Sequence, residues 1–224
     1  MAKFSRLETL LKMKEVGVIP VFYEKDFETA KSIVLACAAG GAKVLEFTNR
    51  GDYAHEVFAQ LSKWIAKEIE GVIIGVGSIV EPYTAALYIQ SGANFVVGPT
   101  FNPEVAKLCN RRGIPYSPGC GSATEASNAL EYGVEIVKIF PGAEVGGPAF
   151  VKSIKGPIPW ISIMPTGGVS DTKESLEAWF KAGVSCVGLG SNLVSKDIVA
   201  KKDWQGLEEK VKKTIAIVKE IRGK

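Results

Sequence analysis

A single lysine stands inside a short apolar segment of the chain. Residues 133–147 read GVEIVKIFPGAEVGG, and Lys138 lies among β-branched residues just before Phe140 and a Pro-Gly pair. This pattern is typical of a buried parallel strand that ends in a loop. Burial disfavours the ammonium form, and the neutral amine is a nucleophile that can form a Schiff base with a ketone. Two other interpretations stay open: the stem reaches past the strand end to solvent, or the ammonium pairs with a buried carboxylate.

A second segment, residues 42–51, places polar side chains at the end of another predicted strand. Period-two alternation puts Glu46 and Thr48 on one face, with Arg50 just beyond the strand. Glu46 could move protons to and from an imine on Lys138, or it could be the structural ion-pair partner of that lysine. Arg50 could bind a substrate carboxylate through two parallel hydrogen bonds, or it could be an ordinary surface arginine.

Two glycine-containing loops follow later predicted strands. Residues 165–170 read PTGGVS, and residues 188–191 read GLGS. Glycines expose backbone N–H groups, and the loops after strands seven and eight of α/β barrels commonly bind phosphate. Each Gly-Gly or Gly-x-Gly alone would predict only a turn. Because the two loops follow the seventh and eighth predicted strands, together they favour a phosphate site.

The elements that position these residues alternate between strand and helix. An amphipathic helix over 4–16 precedes eight strand-helix units, and no change of composition marks a linker. We therefore predict one domain over 1–224, of the α/β class: a single (β/α)8 TIM barrel with an extra N-terminal helix. The predicted strands are 18–23, 42–51, 72–77, 94–99, 114–119, 134–139, 160–165 and 185–190. The predicted barrel helices are 27–39, 53–70, 82–91, 103–112, 123–132, 149–154, 172–182 and 204–221.

Composition argues against several other classes of protein. The chain has 224 residues, 46% hydrophobic and 23% charged, with a net charge of +3. Because basic and acidic residues are interspersed, we expect neither a nucleic-acid groove nor a membrane-binding surface. The four cysteines share no C-x-x-C spacing and are interpreted as reduced packing residues. The first residues lack a signal-peptide pattern and no long uncharged apolar run occurs, so a cytoplasmic protein is predicted.

Common cofactor motifs are missing from the sequence. Gly75-Val-Gly77 and Gly188-Leu-Gly190 lack the third glycine of a dinucleotide fingerprint, and no Walker-type loop is present. The sequence contains one histidine, His55, and it lies in a predicted helix. A histidine-rich zinc site and a Ser-His-Asp triad are therefore not expected. No metal site is predicted.

These motifs together resemble the 2-keto-3-deoxy-6-phosphogluconate (KDPG) aldolase family, class I aldolases that include 4-hydroxy-2-oxoglutarate (KHG) aldolases. The similarity spans 18–194 and is carried by G-x-x-x-x-E-x-T-x-R at 41–50, G-x-x-x-V-K-x-F-P at 133–141 and PTGG at 165–168. The resemblance implies that Lys138 is the Schiff-base lysine and Glu46 the acid-base residue. It also implies a barrel that assembles as a homotrimer and needs no metal or organic cofactor.

The resemblance further assigns the substrate-binding residues. Arg50 with Ser78 would bind the pyruvyl carboxylate, and Pro99 and Phe140 would form the pocket walls. The remaining candidates are Thr48, which shares a strand face with Glu46, and Thr166, Gly167, Gly168 and Ser191, which would take the distal hydroxyls and the phosphate.

Four positions depart from the family pattern. Ser78 stands where many relatives have threonine, Asn49 where a hydrophobic residue is common, and Gly142 where alanine or serine is usual. Tyr23 ends the first predicted strand, where some relatives place an arginine that helps to bind phosphate. Lys25 could supply that charge instead.

The expected activity is reversible cleavage of KDPG to pyruvate and glyceraldehyde 3-phosphate, with cleavage of KHG to pyruvate and glyoxylate as a second candidate reaction. Three alternatives stay open. The substrate could be the galactonate-derived 4-epimer, since no named residue selects the C4 hydroxyl. The chain could be a non-catalytic phosphate-binding barrel. It could also be a phosphosugar isomerase or decarboxylase that uses the phosphate loops but no imine.

Overall fold

The computed structural model describes residues 2–223 as alternating helices and strands. The strands are β1 (Val18–Phe22), β2 (Val44–Thr48), β3 (Ile73–Gly77), β4 (Val96–Val97), β5 (Tyr116–Ser117), β6 (Gly119–Cys120), β7 (Val137–Ile139), β8 (Ile163–Pro165) and β9 (Val187–Leu189). The helices are α1 (Arg6–Val16), α2 (Phe27–Ala39), α3 (Ala54–Glu68), α4 (Pro82–Gln90), α5 (Pro103–Arg112), α6 (Ala123–Glu131), α7 (Gly147–Lys155), α8 (Lys173–Lys181), α9 (Lys196–Lys201) and α10 (Trp204–Ile221).

Local sequence signals fix the ends of the helices. Helix α1 begins two residues later than predicted because Ser5 is its N-cap and forms a reciprocal capping box with Glu8. It ends at Gly17, whose φ of 75° is left-handed and favours glycine. Similarly, the Asp26 carboxylate accepts a hydrogen bond from the Thr29 N–H and starts α2.

The paired strands are all parallel and form two sheets. The order is β5-β4-β3-β2-β1-β9 in the first sheet and β6-β7-β8 in the second. This confirms the α/β class and the parallel pairing. The register places Glu46 beside Val21 of β1 and Gly75 of β3, and it places Lys138 between Gly119 and Met164.

The predicted strand 114–119 is divided at Pro118, which gives nine strands in the described residues where eight were expected. Proline has no N–H to donate to a sheet ladder. The half before it, β5, pairs with β4, and the half after it, β6, pairs with β7. The Pro118 carbonyl still accepts a hydrogen bond from the Lys138 N–H at 3.0 Å.

Helix α9 was not predicted from the sequence. It covers Lys196–Lys201, and its N-cap Ser195 accepts a hydrogen bond from the Ile198 N–H at 3.3 Å. Ile198 and Val199 pack on the core but are only partly buried, and the helix has six residues, too few to show the repeating apolar stripe by which amphipathic helices are recognised.

The apolar core has two parts. The larger lies between the sheets and the surrounding helices. The smaller is formed by side chains in or next to the strands, including Ile19, Val44, Phe95 and Met164, together with Leu10 and Met13 of α1. The N-terminal helix therefore closes one end of the fold. All four cysteines are free and buried.

None of the helices within residues 2–223 has the length and apolar character needed to cross a membrane.

Candidate active site

Lys138 lies in the middle of β7 and is only 5% exposed. Its Nζ atom lies 4.9 Å from the centre of the Phe140 ring. Burial lowers the pKa of Lys138, and this effect exceeds the opposite influence of Glu46. The side chain therefore does not extend past the strand end into solvent, and burial favours the neutral amine.

Glu46 lies in β2 and is 1% exposed. Burial raises the pKa of its carboxyl group, although the nearby charges of Lys138 and Arg50 act in the opposite direction. A Cβ atom at Gly77 of the neighbouring β3 would overlap the Glu46 carboxyl group. The missing side chain of Gly77 thus provides the space that this carboxyl occupies.

The buried lysine and carboxyl do not form a close structural ion pair. Across residues 2–223, neither Lys138 nor Glu46 takes part in an ion pair within 4.0 Å. Their pKa values shift in opposite directions, which favours a neutral amine beside a protonated carboxyl group. These are the forms needed for attack on a ketone and for protonation of the oxygen that leaves.

Arg50 and Ser78 meet at the ends of β2 and β3. Arg50 Nε donates a hydrogen bond to Ser78 Oγ at 3.4 Å. Ser78 has a φ of 63°, a conformation that costs a non-glycine residue about 1 kcal/mol or more. The guanidinium group is exposed, and Arg50 lines the main cavity, so it is available to an anion.

A cavity of about 610 Å³ opens at the carboxyl ends of the strands. Phe140 lines it and links it to the buried Lys138. The cavity also brings together six other predicted binding residues: Thr48, Arg50, Thr166, Gly167, Gly168 and Ser191.

Four of the predicted site residues do not line this cavity. Lys138 and Glu46 are buried, and Ser78 reaches the site through its hydrogen bond to Arg50. Pro99 follows β4, where its carbonyl group lies against Gly119, and it is not part of the cavity wall.

Buried polar atoms without partners are concentrated at this site. Glu46 Oε2, Thr48 Oγ1 and Thr166 Oγ1 are fully buried and form no hydrogen bond within the described residues; the remaining such atom is Thr9 Oγ1. An unsatisfied buried polar group costs about 1–3 kcal/mol. A ligand with hydroxyl and carbonyl groups would supply the missing partners.

The loop after β8 presents free hydrogen-bond donors. Gly142 and Ala143 donate to the carbonyl groups of Thr166 and Gly167 at 2.9 and 3.2 Å, which holds the loop in place. In the part of the chain that the structure describes, the N–H groups of Gly167, Gly168 and Ser191 have no acceptor. With Gly167 and Gly168 at φ values of 87° and 73°, this loop and the loop after β9 can bind an anion through backbone donors.

Several residues that line the cavity were not predicted from the sequence. Tyr23, which stands out in the sequence only as a departure from the family pattern, lines the cavity together with Glu24, Asn192 and Lys196, whereas Lys25 is exposed and lies outside the wall. Lys196 could not be recognised because it belongs to α9, which carries no periodic signal. Residues 2–223 contain no cluster of three or more His, Cys, Asp or Glu that could hold a metal ion.

Fold and site define a parallel α/β protein with a buried lysine and carboxyl beneath a cavity at the carboxyl ends of its strands. The sequence profile described as KDPG and KHG aldolase matches residues 10–210. The chain belongs to the KDPG and KHG aldolase family.

Several related proteins align with most of the chain. A 2-dehydro-3-deoxy-phosphogluconate aldolase from Pseudoalteromonas atlantica is 35% identical over 89% of this chain and 90% of its own. The KHG/KDPG aldolase of Escherichia coli K12 is 30% identical over 88% of this chain and 90% of its own. A KDPG aldolase structure from Legionella pneumophila, with pyruvate captured at low pH as a covalent carbinolamine intermediate, has a TM-score of 0.82 at 29% identity and covers 92% of this chain and 96% of that one.

Proposed function

We propose that this protein is a class I aldolase that reversibly cleaves KDPG to pyruvate and glyceraldehyde 3-phosphate. The observation that supports this most strongly is the buried Lys138, whose pKa burial lowers. Beside it, a carboxyl oxygen and two threonine hydroxyls lack hydrogen-bond partners. The chain also belongs to the aldolase family. The names of its relatives support the same substrate.

In the proposed mechanism, the neutral amine of Lys138 attacks C2 of the keto acid and forms a carbinolamine. Glu46 donates a proton to the C2 oxygen, which leaves as water, and a protonated imine remains. The Glu46 carboxylate then removes the C4 hydroxyl proton. The C3–C4 bond breaks and its electron pair moves into the protonated imine. Glyceraldehyde 3-phosphate is released, and an enamine remains on Lys138. Protonation at C3 and hydrolysis of the imine release pyruvate and restore the amine.

Each end of the cavity is proposed to bind a different part of the substrate. The Arg50 guanidinium group, supported by Ser78, binds the carboxylate next to the keto group. Thr48 and Thr166 offer hydroxyls to the substrate oxygens, and Phe140 packs beside the imine. The free N–H groups of Gly167, Gly168 and Ser191 bind the phosphate.

The proposal includes closure of the two sheets into one (β/α)8 barrel. Pro118 separates β5 from β6 by one residue, so the two halves act as a single fifth strand. An isolated parallel bridge between Thr166 and Gly188 supports the junction of β8 with β9. Closure would place the site at the carboxyl-terminal face, where the active sites of such barrels lie.

KHG is a second candidate substrate, and the name of the Escherichia coli relative favours it. Assembly as a homotrimer also belongs to the proposal, on the family resemblance. A purely binding function is disfavoured because a desolvated amine beside a carboxyl group contributes nothing to phosphate binding.

The proposed function is tested by comparing wild type with Lys138→Arg on KDPG, its galactonate epimer and KHG. We expect wild type to have its highest kcat/KM for KDPG, and the variant to lose turnover of every substrate because a guanidinium group cannot form the imine. Full turnover by the variant would point to an isomerase or decarboxylase type of chemistry and would contradict the proposal.

A further inference from the structure

The cavity has two ends, separated by β1. Strand β1 lies between β2 and β9 in the sheet. Arg50 follows β2, on one side of β1. Ser191 follows β9 on the other side, where the Thr166–Gly188 bridge adds the loop after β8. A substrate with an anionic group at each end would therefore span β1.

The cavity wall contains three side chains that carry charge at neutral pH: Glu24, Arg50 and Lys196. Glu24 Oε1 accepts hydrogen bonds from the N–H groups of Lys25 and Asp26 at 2.8 and 3.0 Å, which hold this carboxylate on its own turn. The Lys196 ammonium forms no ion pair among residues 2–223. It is therefore a free cation at the wall.

Lys196 belongs to the end of the cavity opposite Arg50. It lies five residues after Ser191 and follows the loop that leaves β9. That end also holds the free N–H groups of Gly167, Gly168 and Ser191. Neutral donors orient a phosphate, and in a cavity that also contains the Glu24 carboxylate a positive charge would stabilise the dianion further.

We propose that Lys196 is a specificity-determining residue that binds the phosphate monoester of the substrate. This inference rests on the proposed function and deepens it by naming the source of positive charge at the distal end. Neither residue singled out near the first strand supplies that charge: Lys25 lies outside the wall, and Tyr23 is uncharged, with its hydroxyl against Gly51.

The position of Lys196 also predicts which substrates it favours. In KDPG the phosphate is attached to C6, whereas the second carboxylate of KHG is at C5 and lies nearer to the keto group. With the keto carbon bound to Lys138, the longer substrate reaches the distal end and the shorter one does not. Lys196 therefore selects phosphorylated six-carbon keto acids over KHG.

The test uses Lys196→Gln and Lys196→Arg, with Lys201→Gln as the matched control. Lys201 is an exposed residue of the same helix, and it does not line the cavity. For Lys196→Gln we expect kcat/KM for KDPG to fall roughly 10- to 100-fold, the range for loss of one charged hydrogen bond. The fall for unphosphorylated 2-keto-3-deoxygluconate should be at least about tenfold smaller, and Lys196→Arg should recover most of the loss.

Binding of inorganic phosphate, measured by calorimetry, tests the same residue without turnover. Phosphate should bind Lys196→Gln more weakly than either wild type or Lys201→Gln. Equal phosphate affinities, or equal kcat/KM losses with and without the phosphate group, would overturn the role of Lys196 while leaving the aldolase proposal intact. If wild type formed no imine with pyruvate, the aldolase proposal would fail, and the phosphate affinities would still decide the role of Lys196.

Discussion

Burial shifts the pKa values of the two residues at the centre of the site in opposite directions. Burial lowers the pKa of Lys138 and raises that of Glu46. The Glu46 carboxyl also lacks a hydrogen-bond partner for Oε2. Such groups reduce stability and are expected where chemistry needs them.

Replacing Glu46 with glutamine should lower kcat for KDPG cleavage by about 100- to 10,000-fold, the usual contribution of a positioned acid-base group. The amide keeps the shape of the side chain but neither takes up nor releases the proton. Steady-state kinetics measure the change. A loss of less than about tenfold would mean that another group transfers the protons.

The same variant tests the pKa shift through stability. Because the folded pKa of Glu46 is raised above its ordinary value of 4.5, its contribution to stability is fully present below pH 4.5 and is lost as pH rises through the folded pKa. The Tm of Glu46→Gln minus that of wild type should therefore increase as pH rises from 4.5, and then level off. A difference that is independent of pH would contradict a raised pKa.

A site residue can be recognised in this sequence where a polar side chain conflicts with its apolar surroundings. Lys138 and Glu46 stand out for that reason, and both are buried. Lys196 could not be recognised in this way, because a lysine in a polar segment looks like any solvated residue. The path of the loop after β9 brings Lys196 to the cavity wall, and no pattern of residues in the sequence predicts that path.

The loop after β8 determines the shape of the distal end of the cavity. Gly168 has a φ of 73°, and a Cβ atom there would overlap Ala143 in the loop after β7. The two loops are also joined by hydrogen bonds from Gly142 and Ala143. A side chain at Gly168 would therefore displace one loop from the other.

Gly168→Ala should lower both Tm and kcat/KM for KDPG, the latter by at least about tenfold, because misplaced catalytic or binding groups are costly. Gly71→Ala is the matched control, since Gly71 has the same φ of 73° and nothing within 4 Å of an added Cβ atom. Both variants carry about 1–2 kcal/mol of backbone strain, so the difference between them isolates the contact with Ala143. Equal kinetics for the two variants would show that this loop contact does not shape the site.

The element pattern was predictable because strands and helices alternate in hydrophobic period and are separated by glycine and proline. The division of the fifth strand was harder to foresee. The segment 114–119 satisfies a strand pattern, and only the tertiary pairing shows that Pro118 separates β5 from β6. Helix α9 is specified by its Ser195 cap rather than by burial.

On the scale of the whole molecule, an exposed apolar surface lies at and before α4. Val80, Tyr83 and Leu87 are 56%, 84% and 43% exposed, and Tyr53 at the start of the adjacent α3 is 70% exposed. Two other large aromatic side chains do not extend this surface: Trp179 is buried, and Phe101 stacks edge-on against Tyr132. We therefore place the proposed trimer interface on the α4 surface.

Light scattering coupled to gel filtration should give three times the chain mass of 24.0 kDa for wild type. Tyr83→Lys should reduce that mass, because burial of a lysine charge at a subunit interface is unfavourable. Trp160→Lys is the control: Trp160 is 74% exposed but precedes β8, which belongs to a different sheet from β3 and β4, the strands before and after α4 in the chain. A wild-type mass of 24.0 kDa, or an unchanged mass for Tyr83→Lys, would argue against this assembly.

The most direct test of the aldolase proposal is borohydride reduction in the presence of pyruvate, followed by mass spectrometry. We predict that wild type gains one reduced pyruvyl group, that peptide mapping places it on Lys138, and that Lys138→Arg gains none. An unmodified wild-type chain, or an adduct on a different lysine, would contradict imine chemistry at Lys138.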